Sequence, residues 1–145
     1  MAAILLEDIF TVEGKDVKGK PFDHVSRFDC QGENYEMKLS LDINTDIYPM
    51  WKGDKFSLAL SHTLHADGTP DDGMYNANIA HADNTLLEKY DYVMYGKVFK
   101  LEAVEGSRLA VTASFGGLLM ELQGDSRNLS GINLDQNLYL LIRRA

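Results

Sequence analysis

The chain has 145 residues, a length that suits one domain burying roughly 68–70% of its unfolded surface, so residues 1–145 are read as a single unit. Composition is that of an ordinary globular protein, 45% hydrophobic and 25% charged, and no run of about 18 apolar residues offers a membrane-spanning helix. Fourteen basic against 22 acidic side chains give −8, which repels phosphate and argues against nucleic acid as the main partner.

The opening, MAAILLEDIF, meets acids after a short apolar stretch and has no basic leader, so no secretory signal is expected. A strand is predicted near 4–13 and a second near 24–31. The second carries Cys30, the one cysteine, which excludes an internal disulfide and fits a reducing compartment. YEMKLSLDI alternates with period two, placing Tyr35, Met37, Leu39, Leu41 and Ile43 on one face. Glu36, Lys38, Ser40 and Asp42 take the other. TDIYPM is long enough for a single helical turn. KFSLALSH resumes the alternation, with Phe56, Leu58 and Leu60 opposite Lys55, Ser57 and Ser61.

Residues 63–89 break the pattern. They are rich in Asp, Asn, Gly and Ala, and a loop of this length is expected to be functional or flexible. Within it, Asp67, Asp71 and Asp72 with two glycines raise a calcium loop. Position twelve from Asp67 is Asn78 rather than a bidentate glutamate, and a solvated acidic turn is the reading kept. His62 and His65 do not make a zinc site without further ligands, so no metal site is assigned.

The segment 90–104, YDYVMYGKVFKLEAV, is predicted as one long strand, with Gly96 marking a bulge or a bend between sheets. Strands near 107–115 and 118–123 flank Gly116-Gly117, a pair suited to a primed two-residue turn. That turn sets the register. Phe115 faces Leu118, Ala113 faces Met120 and Val111 faces Leu122 on the inner side. Ser114–Leu119, Thr112–Glu121 and Ala110–Gln123 pair on the outer side. DSRNLSG has room for another helical turn, and a last strand is predicted near 138–143. Eight alternating segments make the chain all-β, closed or nearly closed into a barrel, because closure removes exposed strand edges.

No nucleophile elbow, phosphate loop or carboxylate pair at catalytic spacing is present, so neither catalytic nor cofactor-binding residues are assigned. Tyr92, Tyr95, Lys97, Phe99 and Lys100 interleave aromatics with bases, as in barrels that stack single strands. A free-standing single-stranded nucleic-acid-binding module is therefore the alternative function. A ligand-binding barrel is a weaker third, since the inner residues are bulky enough to fill the interior. Apolar residues on both faces of some strands point instead to a protein partner. Tyr92, Met94, Leu119, Tyr139 and Leu141 are the candidate contacts, read as one outward patch.

GGLLMELQGD followed by NL, with DYVMYGKVFKLE, ILLEDIF, VSRFDC, IYPM, GDKFSLALSHTLHADGT and LYLLIRR, resembles the small eighth subunit shared by the eukaryotic nuclear RNA polymerases I, II and III. The match runs in order along nearly the whole chain. The resemblance implies an eight-stranded antiparallel barrel related to the OB-fold. It also implies a non-catalytic nuclear subunit, found in the nucleolus too, docked on the largest polymerase subunit away from the magnesium site. No membrane, small-molecule ligand or cofactor is implied.

Overall fold

All eight predicted strands form, with ends within a few residues of those expected. The structure is a computed structural model that describes residues 4–63 and 89–145. The strands are β1 (Ile4–Lys15), β2 (Val25–Gly32), β3 (Lys38–Asn44), β4 (Lys55–Ser61), β5 (Tyr92–Ala103), β6 (Arg108–Phe115), β7 (Leu118–Asp125) and β8 (Asn137–Arg144). They close in the order β1-β2-β3-β7-β6-β5-β8-β4, and β4 pairs back onto β1. Every neighbouring pair is antiparallel. The expected flexibility of 63–89 concerns residues 64–88, which lie outside the described residues, as do Asp67, Asp71, Asp72 and His65.

The hairpin register is the one derived above, from Phe115↔Leu118 through Val111↔Leu122. Gly116 and Gly117 both hold positive φ, 67° and 103°, which a Cβ would resist. Ser114 Oγ accepts the Gly117 N–H at 3.1 Å and tightens the turn.

Phe10, Phe28, Leu41, Phe56, Leu58, Val111, Met120 and Leu140 are fully buried and fill the barrel interior. Each such side chain contributes about 1.5–3 kcal/mol of transfer free energy. Leu118 is only partly buried at the end of this core. Cys30 lies inside as well, and burial pushes its thiol far up from its ordinary value. It should resist iodoacetamide in the native protein at pH 8 and react fully in denaturant, as intact-mass measurement would read. Native labelling would place Cys30 outside the core.

Three local readings need correction. TDIYPM and DSRNLSG form hydrogen-bonded turns rather than helix. Asn44 O accepts from Ile47 and Tyr48 N–H, and three-residue bonds recur from Asp125 to Ile132. Tyr35 is exposed rather than inward, because β3 starts only at Lys38. The cause is Asp8, which faces inward between Leu6 and Phe10. Its carboxylate accepts the Asn34 and Tyr35 N–H groups at 3.1 and 3.3 Å and curls the chain out of the strand. Of the bulge or bend between sheets expected at Gly96, the bulge falls instead between Val98 and Lys100. Gly96 stands where β5 passes from pairing with β8 to pairing with β6. A Cβ there would lie 2.1 Å from Ser114 O and 2.8 Å from Phe115 Cα, so the glycine serves close backbone approach.

Candidate docking surface

Alternation along β5 decides which of its apolar residues look outward. Tyr92 and Met94 pair with Ile142 and Leu140, and all four belong to the interior cluster. Tyr92 and Met94 therefore point into the barrel, not out. The reading of them as outward contacts is corrected: YDYVMYG is apolar on both faces, so its parity was ambiguous, and pairing with inward Leu140 and Ile142 settles it. Val93 and Tyr95 take the outer face instead.

Tyr139 and Leu141 do face outward, yet both are fully buried. With Ala59 they form a second, outer apolar cluster against which Ile4, Tyr90, Val93 and Tyr95 pack. The Tyr95 and Tyr139 rings meet at 4.7 Å between centroids. Leu119 faces outward on β7 and is 38% exposed. The five residues thus divide into two inward, two covered and one accessible, and they do not form a single patch.

The nucleic-acid reading of β5 loses its stacking surface for the same reason. Tyr92 is inside, Tyr95 is spent on Tyr139, and Lys100 pairs with Glu102 at 3.2 Å. Only Phe99 remains as an exposed ring in that stretch, raised on the bulge.

Leu119 sits beside an ion pair that alternation assigned to the wet face. Asp42 is on the outer side but has no exposure. Arg27 Nε and Nη2 donate to its two oxygens at 2.7 and 3.0 Å. The Leu119 N–H donates to the same carboxylate at 3.0 Å. Hydrogen bonding to Asp42 raises the Arg27 guanidinium above its ordinary value, with burial opposing. The pairing of β3 with β7 stops at Leu41↔Met120, so Asp42 supplies by side chain the acceptor that the ladder no longer offers.

Next to this pair the rim carries a groove of about 360 Å³, lined by Asn44, Ile47, Asp91 to Tyr95, Phe115 and Leu118. Ile47 is 68% exposed there. The sequence reading missed Ile47, and it chose Tyr92 and Met94 over Val93 and Tyr95 as the outward residues of this strand. Ile47 lies in a turn and has no periodicity to flag it. Among the described residues, no three His, Cys, Asp or Glu side chains group as a metal site would require.

The barrel interior is filled by its own side chains, and large apolar residues such as Trp51, Ile47, Phe99 and Leu119 remain exposed on its outside. Its family follows from comparison. The chain belongs to the family described as RNA polymerase Rpb8, whose model matches residues 7–144. It is 50% identical over 147 residues to the Dictyostelium discoideum protein named DNA-directed RNA polymerases I, II, and III subunit rpabc3, covering 100% of both chains. It is 47% identical over 149 residues to a Caenorhabditis briggsae protein named as the probable RPABC3 subunit of the same enzymes, covering 100% of this chain and 99% of the other. The Saccharomyces cerevisiae RPABC3 is 36% identical over 155 residues, covering 99% and 100%.

Proposed function

We infer that this chain is a non-catalytic subunit of DNA-directed RNA polymerase, common to polymerases I, II and III, with other polymerase subunits as its partners. The observation that carries this is end-to-end similarity to proteins bearing that name, across every strand of the barrel. The net charge of −8 and the spent aromatics of β5 favour it over a free-standing single-strand binder.

More specifically, the subunit docks on the largest subunit, works in the nucleus and nucleolus, and contributes to assembly rather than to nucleotide joining. The exposed apolar side chains Leu119 and Ile47 support docking by burial of apolar surface. An affinity-tagged chain purified from nuclear extract should bring down the largest subunits of all three polymerases by mass spectrometry. Recovery of single-stranded nucleic acid without polymerase subunits would favour the alternative.

Leu119→Gln probes the contact with little disturbance to the fold. Aspartate would be a poor choice, since a second carboxylate beside Asp42 is itself destabilising by about 0.2–1 kcal/mol. The glutamine variant should keep the melting temperature within about 2 °C, as surface changes do, and show reduced recovery with the polymerase. A large fall in melting temperature would mean that Leu119 belongs to the core.

A further inference from the structure

Four of the eight large apolar side chains exposed among the described residues lie in two turns at one end of the barrel. Val17 and Phe22 belong to the turn from β1 to β2, Ile47 and Trp51 to the turn from β3 to β4. The two turns are fastened to each other. His24 Nδ1 meets Asp46 Oδ2 at 2.7 Å, and Lys15 Nζ stands 3.9 Å from the centre of the Trp51 ring. They are also pinned individually. Asp54 accepts the Trp51 N–H at 2.9 Å, and Val12 O accepts the Gly53 N–H at 2.8 Å. Asp16 and His24 hold positive φ, 53° and 65°, which persists only where the surroundings fix it. Trp51 is therefore held out into solvent by an ordered turn.

Charge is distributed unevenly over the same end. Residues 15–24, 46–55, 90–91 and 143–144 carry half of the 14 basic side chains but only five of the 22 acidic ones. Four of those five are engaged within the chain. Asp16 accepts the Arg27 N–H at 2.9 Å and Asp91 the Arg144 N–H at 3.2 Å, Asp54 pairs with Arg144 at 3.3 Å, and Asp46 meets His24. Lys15, Lys18, Lys20 and Lys52 pair with no carboxylate among the described residues. A chain of −8 thus presents one basic, apolar end whose own carboxylates are mostly spent.

We propose that this end is a docking site for an acidic segment of a neighbouring polymerase subunit. Its carboxylates meet the four lysines, and one apolar side chain lies against the ring face of Trp51 that Lys15 leaves open. The proposal rests on the polymerase-subunit reading and adds the chemistry of one contact to it. A nucleic-acid strand is the poorer fit, because it stacks on successive open rings. Here Lys15 covers one face of Trp51, and its other ring partner, Phe28, is buried.

Trp51 is the one tryptophan of the chain, so its emission reads the site directly. The full chain is titrated with a short peptide of glutamates around a single leucine. Emission should shift saturably, acrylamide quenching should fall, and added salt should weaken the binding. Lys18→Glu with Lys52→Glu should keep the melting temperature, weaken the peptide by about tenfold or more, and lower recovery with the polymerase by a similar factor. If the wild-type chain co-purifies but the peptide does not bind and the double variant is recovered normally, docking uses another face. The proposal is then wrong, though the subunit reading stands. If the wild-type chain does not co-purify at all, the subunit reading itself fails. Tighter binding of a single-stranded oligonucleotide than of the peptide would assign the site to nucleic acid. Emission that shifts with protein concentration alone would assign it to a second copy, and weak quenching at every concentration to the chain's own residues. Each of these three results overturns the proposal.

Discussion

Gly96→Ala should destabilise the protein by about 3 kcal/mol or more, at the upper end of overpacking costs. At this chain length that is a fall of roughly 10 °C in melting temperature. The sign is diagnostic. A glycine-to-alanine change at a permissive position normally gains about 0.4–1 kcal/mol by restricting the unfolded chain. Here the added carbon meets the Ser114 carbonyl at 2.1 Å and the Phe115 backbone at 2.8 Å, and neither is the free end of a flexible side chain. To admit it, β6 must part from β5 where β5 changes partners. Thermal unfolding of the variant checks this, and an unchanged midpoint would mean that the strands separate there at no cost.

The second large effect is expected at Arg27→Met. Breaking an ion pair with a buried member costs about 3–5 kcal/mol when both are dry, and about 2–3 kcal/mol is expected here because the Arg27 side chain is 41% exposed. The loss comes from leaving the Asp42 carboxylate buried without its cation, not from the surface value of the pair. The double change Arg27→Met with Asp42→Asn should recover most of it. Asparagine stays neutral while its carbonyl oxygen still accepts the Leu119 N–H. Denaturant unfolding of both variants measures the difference, and a double variant no better than the single would show that Arg27 acts through packing of its stem.

Much of this fold was legible because the signals were local and redundant. Period-two alternation located the strands, and the two glycines at 116 and 117 fixed a turn whose residue pairing then followed by counting. Faces were legible only where the alternation was clean. In YDYVMYG and NLYLLIRR both faces are apolar, and whether Tyr92 or Val93 looks inward depends on the register with a strand about fifty residues away. Asp42 misled for a related reason. Its place in the alternation is polar and outward, but Arg27 from β2 and the Leu119 amide from β7 close over it. Burial of that kind is a property of three strands together.

The position of β8 has a bearing on how the protein is made. Although β8 follows every other strand in the chain, it lies between β4 and β5, and the Leu58, Leu60, Leu140 and Ile142 side chains meet across that pairing. At roughly 5–20 residues per second, the ribosome reaches the end of β8 several seconds after finishing β4. Throughout that interval β1 to β4 carry an uncovered edge, and the outer surface of Ala59 lacks Tyr139 and Leu141. Until β8 emerges, β4 of the nascent chain lacks its partner on that side. The chain's folding is slow by topology, with pairings distant in sequence, and it stands to gain from a chaperone that shields β4 until β8 emerges.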